Sequence, residues 1–396
     1  MDITSPLPVL LALLVALATV KLLARWTPPL PSGRFDTIDG LRGYLAFFVF
    51  LHHGCIWYFH LRTGAWNTPP SNLFTNMGQG SVALFFMITG FLFFGKLLQS
   101  SGGTIDWTRL YCSRVLRLTP LYLFAMLLLF VIVGVETQWT LKEPALMVAK
   151  QAFQWLTFTA TGAPDINGLT NTFIIVAGVT WSLPYEWAFY LSLPLFAVAL
   201  RIRVPAGYLA TSVLAIAAVV VVAVIKQPGA HHLLAFLGGG VAVYAVRSEA
   251  IGRLAQHWVG SAVAAAALAC AYFGFASAHE AFGLLLLVIA FNLIACGTDV
   301  FGILRARLSR VFGEYAYSIY LLHGTLLYIL FEFIIGAQRG AQLSATEHWA
   351  VLIAVTPIVL IITATTFKWI EAPAMKKTSY VLGLLRSNQK AFVTVT

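Results

Sequence analysis

Phe35-Asp36-Thr37-Ile38-Asp39-Gly40-Leu41-Arg42-Gly43-Tyr44-Leu45-Ala46-Phe47-Phe48-Val49-Phe50-Leu51-His52-His53 is the stretch on which the reading of this chain turns. It starts polar, with Asp36, Asp39 and Arg42, and runs into an apolar segment that carries two histidines. Arg42 and His53 are eleven positions apart. In a helix that is about three turns at roughly 100° per residue, so both project from one face, about 16 Å apart along the axis. One then sits at a membrane border and the other near the middle. Ionisable groups at that depth are costly and face a cavity or a partner rather than lipid. The pair is therefore the first candidate for chemistry.

The rest of the chain agrees that this helix lies in a membrane. Of 396 residues, 59% are hydrophobic and 10% are charged, with a mean hydropathy of +0.83. A soluble globule carries about a quarter charged residues. Apolar runs long enough to cross a bilayer, about 17 to 25 residues each, fall near 7–24, 42–60, 80–98, 119–135, 172–199, 208–225, 231–246, 259–276, 281–297, 312–335 and 347–369. The expected fold is all-α, a polytopic membrane helix bundle of about ten core transmembrane helices plus one extra N-terminal helix. The weakest runs are 172–199, interrupted by Pro184 and Pro194, and 231–246, which is short and holds three consecutive glycines.

Twenty of the twenty-five Lys and Arg residues fall in alternate loops and the C-terminal tail under one alternating topology. The positive-inside rule then predicts an external N-terminus and a cytoplasmic C-terminus. The net charge of +10 reads as a basic cytoplasmic face beside anionic lipid, not as a nucleic-acid footprint. The first apolar run lacks a preceding positive charge, and Lys21 and Arg25 follow it, which favours a retained anchor over a cleaved signal. Cys55, Cys112, Cys270 and Cys296 have no paired spacing, so neither a disulfide framework nor a metal site is expected.

A Pro-rich link (Pro28, Pro29, Pro31) precedes the decisive stretch, and the external loop 62–80 has no regular period. Thr89 and Gly90 make a small-residue packing notch between helices. Arg114 and Arg117 are neighbours on one helical face. They serve either as a positive-inside anchor or as an anion clamp, since guanidinium forks match phosphate oxygens better than lysine does. The external loop 136–170 contains an amphipathic piece around 146–158 suited to lying along the interface. In Thr180-Trp181-Ser182-Leu183-Pro184-Tyr185-Glu186-Trp187, Ser182 and Glu186 share a helical face. They read either as part of an outer aromatic belt or, because an acid in an apolar setting is expensive, as functional. His231 and His232 read as solvated or interfacial. Gly238, Gly239 and Gly240 mark a close-packing site or a helix break. His323, thirteen positions beyond Arg310, again falls near mid-membrane, and two histidine sites at similar depth suggest a shared polar cavity.

Together these motifs resemble acyltransferase family 3, integral-membrane enzymes that commonly O-acetylate bacterial surface glycans. The resemblance runs from about Phe35 to Pro373. Asp39-Gly40-Leu41-Arg42-Gly43, with ten residues between Arg42 and His53, looks like the family's signature. Phe85-Phe86-Met87-Ile88-Thr89-Gly90-Phe91 is similar to its Phe-Phe-x-x-Ser-Gly-Phe segment, with Thr89 keeping the hydroxyl. Arg114-x-x-Arg117 matches its arginine pair. Trp181-Ser182-Leu183 through Glu186 matches Trp-Ser-Leu-x-x-Glu, with Pro184 inside it, and Tyr317-Ser318-Ile319-Tyr320-Leu321-Leu322-His323 matches Tyr-Ser-x-Tyr-Leu-x-His. The domain division this suggests is an N-terminal anchor and link over 1–34, a membrane acyltransferase domain over 35–375 and a basic cytoplasmic tail over 376–396. No fused hydrolase-like domain is expected after the last span.

The resemblance implies an acetyl-CoA-dependent O-acetyltransferase of the bacterial inner membrane. Acetyl-CoA would be the cytoplasmic donor substrate, with no bound cofactor or metal, and the acceptor a hydroxyl of an extracytoplasmic or lipid-linked glycan, such as an O-antigen lipopolysaccharide or an exopolysaccharide. Arg114 and Arg117 would bind the donor. His53, Arg42, Asp39 and Glu186 would form the catalytic set, with His53 as base, because an imidazole with an ordinary pKa of about 6.5 is largely neutral at pH 7. Ser182, Trp181, Tyr320 and His323 would hold the acceptor or brace the site. Direct attack and an acyl-enzyme on His53 or Ser182 both lead to the same product. The competing class is a proton-coupled membrane transporter, which also uses embedded His, Arg and Glu. It leaves the arginine pair and the Arg42-to-His53 spacing without a role.

Overall fold

A computed structural model describes residues 2–26, 35–226 and 231–393, so the Pro-rich link lies outside the described residues. Among these the chain is helical and no β-strand forms. The helices are α1 (Leu7–Leu23), α2 (Asp36–Thr63), α3 (Asn72–Gln99), α4 (Trp107–Glu136), α5 (Ala145–Leu156), α6 (Ser182–Ala199), α7 (Ala206–Lys226), α8 (His231–Ala245), α9 (Glu249–Gln256), α10 (Trp258–Gly274), α11 (Ala281–Ala295), α12 (Arg307–Glu314), α13 (Ala316–Tyr328), α14 (Ala337–Gln342), α15 (Ala345–Thr366), α16 (Ala372–Lys376) and α17 (Thr378–Val393). Helix is what a chain this apolar must form, because in lipid every backbone N–H and C=O needs a partner within the segment.

Each of the eleven apolar runs coincides with a helix, but not all are simple spans. Asp36–Thr63, Asn72–Gln99, Trp107–Glu136, Ala316–Ile334 and Ala345–Ser387 are long and apolar enough to cross a bilayer by length and composition. The short run at 231–246 continues as a bent pair, α8 and α9 meeting at 99°. The run 172–199 is helical only from Ser182, preceded by 3₁₀ turns at Thr172–Val176 and Val179–Trp181. Pro184 falls in the first turn of α6, where no intrahelical N–H is needed, so it does not interrupt the helix. The run 312–335 is broken at Tyr315 between α12 and α13, and α13 passes into a π-helical segment at Ile329–Ile334.

The chain divides into two compact units. The first comprises Met1–Gly95, Phe173–Ser182 and Gly229–Ala364, and α2 is its spine, packed by α11, α12, α13 and α14. Its window is 72% buried, as a helix with polar groups on several sides requires. Glycines set its closest approaches. A Cβ on Gly40 would lie 1.9 Å from the Leu304 carbonyl oxygen, and one on Gly313 would lie 1.8 Å from that of Asp39. The Asp39-Gly40 segment and Gly313 are thus two sides of one seam. The Thr89-Gly90 notch and the triple glycine make a second seam, because Cβ atoms on Gly90 and Gly239 would sit 2.1 Å from the Phe236 carbonyl oxygen and 2.0 Å from that of Met87. The triple glycine is therefore a packing device within α8. Helix α1 packs on α12; Arg307 donates to the Ala24 carbonyl at 3.1 Å, and Trp349 Nε1 donates to the Ile3 carbonyl at 2.9 Å.

The second unit comprises Lys96–Thr172, Leu183–Pro228 and Thr365–Thr396. Here α4 is packed by α5, by the π-helical segment Phe367–Glu371, and by α16 and α17. The basic C-terminal stretch is mostly helix α17. It docks through buried Leu382 and an ion pair of 2.5 Å between Arg386 and Asp106. Asp106 also caps α4, accepting from the Arg109 N–H at 3.0 Å. Helix α5 is amphipathic, with Gln151 and Trp155 buried and Leu146, Met147 and Phe153 exposed. In both units leucines and isoleucines face outward, among them Leu10, Leu14, Leu127, Leu285, Ile358 and Ile361. A lipid-facing surface has this composition; a water-facing one does not.

Candidate active site

The centre of the first unit is a chain of two imidazoles. His53 of α2 and His323 of α13 are both buried, 8% and 0% exposed, and His323 Nε2 lies 2.9 Å from His53 Nδ1. His323 Nδ1 is 2.8 Å from the Ile319 carbonyl oxygen and His53 Nδ1 is 3.0 Å from that of Val49. A carbonyl oxygen only accepts, so His323 carries its proton on Nδ1 and donates it to Ile319. Its Nε2 is then an acceptor for His53 Nδ1–H, which the Val49 carbonyl shares, so in the neutral ring the lone pair of His53 lies on Nε2. The hydrogen-bond network thereby fixes both tautomers. Each histidine bonds a carbonyl four residues earlier in its own helix, so the two helices themselves aim the rings.

Beside this pair, Tyr320 and Ser182 are hydrogen-bonded to each other. Tyr320 OH donates to the Val179 carbonyl at 3.0 Å and sits 2.8 Å from Ser182 Oγ, and the Tyr320 ring is 6.4 Å from that of His323. Ser182, Tyr320, His323 and His53 therefore form one cluster. Trp181 lies against Phe86 and His232, with ring centroids at 6.3 and 4.7 Å, and His232 meets His279 edge-on at 4.8 Å. His232 is thus packed among aromatic rings, half-buried, rather than simply solvated.

At the N-terminal end of α2, Arg42 and Asp39 form an ion pair of 3.9 Å, and Asp36 pairs with Arg310 at 3.3 Å. Arg42 is more buried than Asp39, with side-chain exposures of 16% and 46%. The Asp36–Arg310 pair ties α2 to α12 and was not foreseen, because its partners are far apart in sequence.

Arg114, Arg117 and Glu186 belong to the second unit. There Tyr190 OH donates to Glu186, and the Arg114 guanidinium lies 6.0 Å from the Tyr190 ring centroid, within cation–π range. Tyr111 OH donates to the Tyr190 carbonyl at 3.1 Å. Glu186 is thus joined to Tyr190 four residues on, a same-face pairing in α6.

Two aromatic contacts at the histidines escaped sequence reasoning. His52 Nδ1 donates to the Phe74 carbonyl at 2.7 Å, and its ring meets that of His53 edge-on at 4.7 Å. Trp66, from the loop with no periodicity, stacks on His53 with centroids 6.2 Å apart and planes at 20°. The sequence shows only the helix side of the second contact: His53, Trp57 and His60 recur at i, i+4 and i+7, one face of a helix.

Fold and site together define a multi-pass helical membrane protein with a buried pair of hydrogen-bonded histidines in its first unit. A family model described as an acyltransferase domain matches residues 35–367, and the chain belongs to acyltransferase family 3. Helix α1 lies before the matched range. No curated protein and no solved structure matches the chain.

Proposed function

We propose that this membrane acyltransferase moves an acetyl group from cytoplasmic acetyl-CoA to a hydroxyl of an extracytoplasmic or lipid-linked glycan, within the bacterial inner membrane and with the N-terminus outside. The observation that carries the chemistry is the His323–His53 hydrogen bond. With its proton held on Nδ1 between His323 and the Val49 carbonyl, His53 has Nε2 as its basic nitrogen. It accepts the proton of the acceptor hydroxyl as that oxygen attacks the thioester carbonyl carbon. The tetrahedral intermediate collapses with cleavage of the carbon–sulfur bond, and the thiolate of CoA takes the proton back from His53. The products are an acetate ester and free CoA, and His53 is regenerated. General-base catalysis of this kind contributes about 10²–10⁴-fold in rate.

In this reading Arg114 and Arg117 bind the donor's phosphates. Arg42, paired with Asp39 three turns below His53, guides the acyl arm upward. Glu186, Ser182 and Trp181 hold the acceptor, while Tyr320 and His323 position the base. The basic asymmetry of the sequence, with the donor side cytoplasmic, supports this direction of transfer.

The test is transfer of label from radiolabelled acetyl-CoA to surface glycan in membranes carrying the protein. The expected product is glycan-bound label released by mild alkali, as an ester is. Membranes that transfer no label to any glycan when the protein is present would overturn the reading.

A further inference from the structure

The loop that follows α2 returns along the helix it has just left. Gly64 ends α2 in the left-handed region at φ +72°, its N–H donating to the His60 carbonyl at 2.8 Å. That reversal lays Trp66 back over the preceding two to three turns. Its indole stacks on His53 and meets Trp57 at 5.5 Å and His60 at 5.2 Å, both edge-on. At 6.2 Å the contact with His53 is an offset stack, so the indole lies beside the imidazole as well as over it.

The loop is tied at both ends. Arg62 donates to the Tyr58 carbonyl at 2.6 Å and to the Leu343 carbonyl, with its guanidinium 3.5 Å from the Tyr58 ring centroid. Beyond Trp66, Thr75 Oγ1 donates to the Pro69 carbonyl at 3.1 Å. Trp66 is nevertheless only half-buried, while its neighbours 67 and 68 are exposed. It is therefore the side chain by which His53 communicates with the loop surface. Beneath it, Trp57 is fully buried and its indole N–H has no hydrogen-bond partner. Buried donors are normally satisfied, so this one is an exception at the foot of the stack.

We infer that Trp66 is the acceptor platform: a pyranose ring stacks its C–H face on the indole, which presents a ring hydroxyl to His53 Nε2. Such a platform fits sugars because an aromatic face takes C–H groups and leaves the ring edge free for hydrogen bonds. This inference rests on the transferase reading above and assigns its acceptor specificity to a residue outside the family's motifs. Trp66 acts through substrate position and does not itself take part in bond making.

The experiment measures steady-state transfer from radiolabelled acetyl-CoA to total surface glycan extracted from the host, titrated by hexose content, for the full-length protein and its H53A, W66A and W66F variants. With wild type active and H53A silent, the platform predicts that W66A raises KM for glycan about tenfold or more, leaves KM for acetyl-CoA within about twofold, and that W66F recovers most of the loss. A W66A variant whose glycan KM is unchanged, or whose two KM values rise together, overturns the platform while the transferase reading stands. A silent wild type overturns both.

Discussion

His53 and His323 stand 270 residues apart in sequence and 2.9 Å apart in the fold, and the direction of their hydrogen bond is fixed from outside by the Ile319 carbonyl. His323 therefore holds its neighbour in the tautomer whose Nε2 is basic. Replacing His323 by Phe removes one acceptor and leaves the Val49 carbonyl alone to hold the His53 Nδ1 proton and the ring's orientation. Loss of the base's orientation is expected to lower kcat by about 10²–10³-fold, within the range of a general base, with KM for acetyl-CoA little changed. His323→Gln, which keeps an acceptor, should recover part of it. Steady-state kinetics on the two variants check this, and equal kcat for H323F and wild type would contradict it.

Ser182 is buried and hydrogen-bonded to Tyr320, which is how a structural hydroxyl is held. Direct transfer predicts that Ser182→Ala lowers activity by about tenfold, comparable to the loss of one hydrogen bond of roughly 0.5–1.5 kcal/mol, and that acid-quenched protein carries no covalent label. Loss of activity to background, with stoichiometric label on the wild-type protein, would point instead to an acyl-enzyme.

Gly78 faces the ring of His52, and a Cβ there would lie 2.6 Å from Cδ2 and 2.7 Å from Nε2. Gly78→Ala should push His52 off the Phe74 carbonyl and destabilise the fold by about 1–3 kcal/mol, the usual cost of overpacking. In a His52→Ala background the same change should cost much less, because the clash is gone. Thermal unfolding of the detergent-solubilised single and double variants measures the coupling, and additive losses would contradict the contact.

The Asp106 carboxyl is raised by burial but lowered more by the Arg109 backbone N–H and by Arg386, so its pKa lies below the ordinary 3.8. Stability from this pair is therefore fully present above about pH 4 and is lost as pH falls through the lower folded-state value. Both groups are substantially exposed, 40% and 57%, so screening keeps the effect under about 1 kcal/mol. Asp106→Asn should loosen α17 modestly at neutral pH, seen as faster proteolysis after the C-terminal lysines. The gap between variant and wild type should begin to close below about pH 4 and vanish once pH is under the lowered folded-state value, and a gap that does not narrow there would contradict the assignment.

Much of this site was legible because the membrane restricts what a sequence can do. An Arg42 and a His53 on one face of an apolar helix have few uses, and the structure buries that helix at the centre of its unit. The small-residue notch at Thr89-Gly90 is visible as a packing site, and the triple glycine as either a packing site or a helix break. That they face each other is not, since spacing within a helix says nothing of which helix it meets. The same limit hid the Asp36–Arg310 pair and the direction of the His323 hydrogen bond. Trp66 was missed for a different reason: a loop without a period gives no register, and only the reversal at Gly64 brings its ring back to His53. Pro184 looks like an interruption in the sequence alone, but a proline's effect depends on its position in the helix. The first turn, where it falls, tolerates it.

His53 Nε2 is the proposed base of the acetyl transfer. It is tested most directly by comparing wild type with His53→Ala, at matched protein levels, for both label transfer from acetyl-CoA to glycan and equilibrium binding of acetyl-CoA. Transfer is expected to fall by at least about 100-fold in H53A while donor binding is retained. Full transfer by H53A, with donor binding intact, would contradict it.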